Sequence, residues 1–113
     1  IPFDCDDFSR QALYQIFGEI QDLQEDHNPG LSIEGIIANQ FQPRATLPRQ
    51  LINELLEEQM PVLPVHLSSS IKMKESHQAK QPLIHFAPKH NLTKQFIDLH
   101  KVLNGEKVAE EAL

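Results

Sequence analysis

Leu31-Ser32-Ile33-Glu34-Gly35-Ile36-Ile37-Ala38-Asn39 is the stretch that decides how this chain folds. Its second half is almost unbroken in apolar character. A short Ile-rich run of that kind suits a parallel strand buried on both faces. Before it, Asn28-Pro29-Gly30 turns the chain at the end of a helix that the spacing predicts over about Ser9 to Asp26. Leu13, Ile16, Phe17, Ile20 and Leu23 form the apolar stripe of that helix, and Asp6, Asp7 and Ser9 place acceptors and negative charge at its start. After the strand, a polar loop from Gln40 to Thr46 leads into a second helix over about Pro48 to Gln59, with Leu51, Ile52, Leu55 and Leu56 as its stripe and Pro48 in its first turn.

Further along, Pro61-Val62-Leu63-Pro64-Val65 reads as a short strand flanked by prolines, which cannot donate to a ladder. A polar stretch at Ser68-Ser69-Ser70 follows, then a short helix or turn over Ile71 to His77 and an extended segment over Pro82 to Phe86. The last helix spans about Asn91 to Leu103, with Leu92, Phe96, Leu99 and Leu103 on one side and Asn104-Gly105 as its stop. The three helical stripes are expected to be core, and residues 106–113 a frayed tail. Helix, buried strand, helix and strand in alternation predict an α/β fold with a mostly parallel sheet flanked by helices. The strand ending at Ile1-Pro2 is only a stub, so one edge of that sheet is expected to lack its continuation, and an open edge invites self-association.

Composition narrows the function. The 113 residues are 40% apolar and 23% charged, and the formal net charge is −6. That suits one domain with a real core and argues against a wholly basic nucleic-acid binder. The charge is unevenly spread. Residues 1–59 hold eleven Asp and Glu against three Arg and Lys, whereas residues 60–105 hold six Lys against Glu75 and Asp98. A basic face can therefore exist on an acidic chain, and the local field decides where a phosphate backbone settles. The other reading is a set of solvated surface lysines. No apolar run approaches the ~20 residues of a membrane span, and the single Cys5 excludes an internal disulfide, which points to a reducing cytoplasm.

Catalytic signatures are missing. Only Gly30 and Gly35 have the separation of a phosphate-binding G-x-x-x-x-G, and Ile36 and Ile37 follow where Lys and Ser or Thr belong. The six histidines lack metal-ligand spacing, and no carboxylate pair stands out for general acid–base work. Asn39 lies at the carboxyl end of the buried strand, where open α/β sheets meet their ligands; the alternative is a turn-forming asparagine.

Several blocks carry a family resemblance. Ile1-Pro2-Phe3-Asp4-Cys5-Asp6-Asp7-Phe8, Ile33-Glu34-Gly35-Ile36-Ile37-Ala38-Asn39-Gln40-Phe41, Gln42-Pro43-Arg44-Ala45-Thr46-Leu47, Ile71-Lys72-Met73-Lys74-Glu75-Ser76 and Gln81-Pro82-Leu83-Ile84 occur in that order. Together with the closing helix they resemble the C-terminal half of the ParA/Soj (MinD-like) partition ATPases, over residues 1–105. Lys80 stands where that family usually has glycine, and Leu67 to Ser70 looks like a small insertion.

The resemblance implies a P-loop NTPase-like parent whose ATP and Mg are held by a phosphate-gripping half that this sequence does not contain, so the chain alone is expected to be inactive. It implies an adenine contact at Asn39, with Pro64, read as the end of its strand, lining the same pocket. It also implies non-specific DNA binding through Arg44 and Lys72, extended by Lys74, Lys89 and Lys94, and a salt-bridge or hinge role for Glu75. The partners implied are a second copy in a homodimer, DNA and a ParB-like stimulating protein, in a nucleoid-associated, cytoplasmic setting with no membrane. Two alternatives are a fragment of a cobyrinic acid a,c-diamide synthase-like amidoligase and a stand-alone α/β interaction module.

Overall fold

The computed structural model describes residues 1–106. In chain order the elements are β1 (Pro2–Asp4), α1 (Asp7–Asp26), β2 (Ile36–Phe41), α2 (Thr46–Glu57), β3 (Val62–Ser68), α3 (Ile71–Gln78), α4 (Leu83–Phe86) and α5 (Asn91–Leu103). The three strands form one parallel sheet in the order β1-β2-β3. The fold is α/β, a parallel sheet flanked by helices, as the sequence predicts.

Each face of the sheet has its own core. Phe3, Ile36, Ala38 and Phe41 meet Leu13 of α1 and Ile52 and Leu55 of α2 on one side. Val65 and Leu67 meet Leu83, Leu92 and Leu99 on the other. The crossover helices α1 and α2 thus share a face, as right-handed crossovers require when the strand order runs 1-2-3. Arg10 on α1 hydrogen-bonds Glu54 on α2, and the Tyr14 hydroxyl donates to Glu58 at 2.8 Å, which latches the two helices at the surface.

Local chemistry sets the helix ends. The Asp6 side chain accepts from the Ser9 amide at 2.8 Å, so α1 starts at Asp7. Helix α2 starts at Thr46, which makes Pro48 its third residue; the first four amides of a helix lack intrahelical partners, so proline is tolerated there. Helices α2, α3 and α5 all stop the same way. Lys80 N donates to His77 O at 3.1 Å and Gln81 N to Ser76 O at 3.0 Å, a Schellman pair with Lys80 at φ 56°. Gln59 (φ 61°) and Gly105 (φ 81°) hold the equivalent position after α2 and α5.

The structure refines or corrects several expectations. Strand β2 is Ile36–Phe41, the Ile-rich second half of the quoted stretch and two residues beyond it. The Ile36 amide donates to Pro61 O at 2.8 Å, and the residues before it serve as a connection. Strand β3 runs on to Ser68, so Leu67 and Ser68 belong to the strand, and Pro64 is its third residue, not its end. As β3 is an edge strand, a proline there is tolerated. Pro82–Phe86, expected to be extended, contains the one-turn helix α4; Phe86 N donates to Pro82 O at 2.9 Å.

The helical stripes are core only in part. On α1, Leu13 is buried, but Ile16 and Leu23 are 39% and 46% exposed. Leu13 is the one buried residue of the 20-residue helix, and its second half is only partly covered by the described residues. Phe96 and Leu103 on α5 and Leu56 on α2 are also exposed. Of the expected tail only Glu106 belongs to the described residues; 107–113 lie outside them.

Candidate functional site

The β2–β3 register shifts twice, between Ile36 and Ala38 and again towards the carboxyl ends of the two strands, between Ala38 and Phe41. Gln40 has φ 50°, in the left-handed region. The chain after β3 is then tied back: Ser69 N donates to Phe41 O at 3.2 Å. Gln95 of α5 clasps the last residue of β3, accepting from Ser68 N at 2.7 Å and donating to Ser68 Oγ at 2.8 Å. Ser70 Oγ accepts from the Lys72 amide at 3.1 Å and so caps α3, with His90 Nε2 at 3.5 Å. His90 in turn caps α5 by accepting from Leu92 N at 3.1 Å.

These ties leave a groove of about 600 Å³ whose polar wall is Asn39, Gln40, Ser68, Ser69, Ser70 and Lys74. Leu92 and Phe96 of α5 supply its apolar side. A flat apolar surface next to amide, hydroxyl and ammonium groups can stack a planar ring and hydrogen-bond its edge. Asn39 lines this groove. Its Nδ2 donates to Asp4 Oδ1 at 3.2 Å, which orients the amide across the β1–β2 pair and leaves Oδ1 as the acceptor. A smaller cleft of about 290 Å³ on the β1 side, between that strand and Ala12 and Ile16 of α1, also reaches Asn39.

The other sequence-predicted residues separate. Pro64 lines none of the clefts described above; it lies about four residues, or ~13 Å of strand, before Ser68. Lys74 lines the groove. Lys72, on the same helix, pairs with Glu75 at 3.1 Å, the salt-bridge role expected of Glu75. Arg44, Lys89 and Lys94 are exposed and form no ion pair among the described residues. Arg44 lies in the loop that leaves β2, Lys89 precedes the α5 cap, and Lys94 adjoins Gln95, so all of these cations sit on connections or first turns at the carboxyl end of the sheet. They reach one end of the molecule without touching one another.

Sequence reasoning missed Gln40, Gln95 and the constructive part played by Ser68 to Ser70. The serine run carried a signal, since a Ser directly before a helical segment is an N-cap candidate. Nothing in the composition marks a glutamine for a left-handed backbone. Cys5, half-buried next to the site, has its thiol pushed up to about 11 by burial and then by the charges of Asp4 and Asp6. A thiol so raised carries almost no thiolate near neutral pH, which removes it as a nucleophile.

Among the described residues no group of three or more His, Cys, Asp and Glu is placed to hold a metal, and no helix is long and apolar enough to cross a membrane. No family model matches the chain. Two relatives from Mycobacterium tuberculosis, the uncharacterized protein Rv1708 of strain ATCC 25618 / H37Rv and the uncharacterized protein MT1749 of strain CDC 1551 / Oshkosh, are each 26% identical over 90 residues. The match covers 79% of this chain and 28% of each relative, so the match spans less than a third of the length of the curated relatives.

Proposed function

We propose that this chain is the adenine-side and DNA-facing part of a ParA-type partitioning ATPase. The observation that carries the reading is the groove at the carboxyl ends of two parallel strands, with Asn39 and Lys74 in its wall. Ligands of open α/β sheets bind at that end of the strands. In this reading the Asn39 amide hydrogen-bonds the edge of the base, and its contact with Asp4 holds it in the orientation required. ATP and Mg would be gripped by residues outside this chain, which has no phosphate-binding loop of its own.

Nucleotide binding would close a homodimer, and two copies would then present Arg44, Lys72, Lys74, Lys89 and Lys94 to a phosphate backbone. A ParB-like protein that stimulates hydrolysis would reverse the process, and the setting would be the nucleoid. Recognition of this kind is electrostatic and independent of base sequence.

Titration of random-sequence duplex DNA by the full-length gene product, at several salt concentrations with and without ATP, tests the proposal. Each lost phosphate contact lowers the salt slope by about 0.9, so Arg44→Ala combined with Lys72→Ala should reduce it by about 2 per protomer and weaken ATP-dependent binding at every sequence. Unchanged affinity and slope in the double variant would remove this face from DNA binding.

A further inference from the structure

Two apolar faces of this molecule are open, and their charges are opposite. The first is a groove of about 680 Å³ between α3–α4 and α5, walled by Met73, Leu83, Ile84, Phe96 and Ile97. Ile84 is 50% exposed and Phe96 and Ile97 are each 38% exposed, so these side chains face water. The hydroxyls in the wall are already used: Ser76 Oγ donates to Met73 O at 2.7 Å and Thr93 Oγ1 to Ala87 O at 2.6 Å. His77, Gln81 and His100 also line the groove, but most of its exposed surface is apolar and asks for apolar atoms. Its borders are basic. Lys94 and Lys101 lie three and four residues from Ile97 and so flank it on α5, while Lys74 adjoins Met73 and Lys80 adjoins the groove residue Gln81. The acids nearby are Asp98 and Glu75, and Glu75 is occupied by Lys72.

The second face is the second half of α1, whose apolar side chains are partly exposed among the described residues. Ile16, Ile20 and Leu23 recur at i, i+4 and i+7 and form one stripe, with Ile16 and Leu23 exposed. Glu19 and Asp26 border that stripe, Asp22 and Glu25 follow on the same half-helix, and residues 13–26 contain no Lys or Arg. It is an acidic, one-sided apolar helix end; the groove is an apolar trough with a cationic border.

We propose that the second half of α1 in one copy of this chain docks in the α3–α4–α5 groove of another. Helix-in-groove packing of i, i+4, i+7 side chains is an established mode of recognition, and the opposite charges of the two borders fix which surface meets which. The contact is heterologous, because each copy offers one helix and one groove, so association continues head to tail instead of stopping at a symmetric pair. A half-helix of ~20 Å covers less than the ~800 Å² per partner of a standard interface, so the association is weak and concentration-dependent. This inference does not depend on the nucleotide reading.

Sedimentation velocity of the 113-residue chain over roughly two decades of concentration tests it. The wild-type chain should show a rising weight-average mass. Leu23→Lys, which sets a cation against the basic border, and Ile97→Glu, which sets an acid against α1, should each weaken self-association at least tenfold. An equimolar mixture of the two should form a one-to-one complex that grows no further, because one variant keeps the groove and the other keeps the helix. Far-UV circular dichroism checks that both fold; if either does not, Ile16→Lys and Ile84→Glu replace the pair with the same expectations. A wild-type chain that stays monomeric, a variant that associates as the wild type does, or a mixture that remains monomeric overturns the proposal.

Discussion

Replacing Gly35 by alanine gives a sharp test of the packing at the start of β2. A Cβ on Gly35 would lie 2.5 Å from Leu63 Cδ2 and 2.6 Å from Leu63 Cγ, and the Gly35 backbone is outside the left-handed region. The penalty of the substitution is therefore collision and not strain. Carbon atoms rest ~3.5–4.0 Å apart, so an overlap of about 1 Å has to be relieved. Because Cγ as well as Cδ2 is struck, rotating a methyl away is not enough, and the whole Leu63 side chain must leave its place beside Ile37 and Val65.

Overpacking of that kind costs about 1–3 kcal/mol. For a domain near 100 residues this lowers Tm by about 4–8 °C for each kcal/mol. If Leu63 is the cause, removing it must change the sign of the effect. In a Leu63→Ala background Gly35→Ala should become neutral or stabilising by about 0.4–1 kcal/mol, since alanine restricts the unfolded chain more than glycine does. Urea denaturation of the four proteins in the double-mutant cycle gives the coupling directly. Equal losses in both backgrounds would show that the collision is not what makes glycine necessary here.

Two other predictions follow from the same geometry. Lys80 occupies the left-handed residue of the α3 stop, at a cost of about 1–2 kcal/mol for an L side chain against the ~0.5–1 kcal/mol of backbone entropy that glycine forfeits. Lys80→Gly should thus raise stability by up to ~1 kcal/mol in urea unfolding, while Gly105→Ala at the equivalent position of α5 should lower it; a clear loss from Lys80→Gly would contradict this account. Cys5 should be slow to alkylate. With its thiol raised from 9.0 to about 11, the thiolate fraction at mildly alkaline pH is ~100-fold below that of the unfolded chain, so iodoacetamide should react about two orders of magnitude faster in denaturant, and rates within tenfold of each other would refute the environment assigned to it.

The α/β order was legible because each element carries its own period. Ile36 to Asn39 read as a doubly buried strand, and the last helix was placed at Asn91 to Leu103 from its stripe and its Asn104-Gly105 stop. Pro82 to Phe86 was misread because a single turn is too short to display a 3.6-residue period, and Leu83-Ile84 look as apolar in a strand as in a helix. The stripe of α1 was read as core because periodicity reports which residues share a face; it carries no information on whether anything covers that face. That is decided by tertiary packing, and Leu13 alone of the stripe is buried among the described residues. The candidate site was half visible. Asn39 could be placed at a strand end from sequence, whereas the clasp of Gln95 on Ser68 joins residues 27 apart and leaves no local trace.

Backbone strain argues for the same end of the sheet independently of any resemblance. Among the described residues, three other than glycine have positive φ: Gln40, Gln59 and Lys80. Gln59 and Lys80 each sit one residue past a helix cap, where the left-handed conformation completes the pair of hydrogen bonds that ends the helix, so helix termination accounts for them. Gln40 has no such excuse, since it is in the interior of β2, one residue before the strand ends and between two ladder partners whose register does not match. A conformation of that cost persists only where the surroundings over-determine it, and what surrounds Gln40 is the Ser69–Phe41 tie and the groove that Asn39 enters. Helix geometry therefore explains two of the three outliers, and the third lies where the polar groove opens, at the end of the sheet to which the cationic loops also converge.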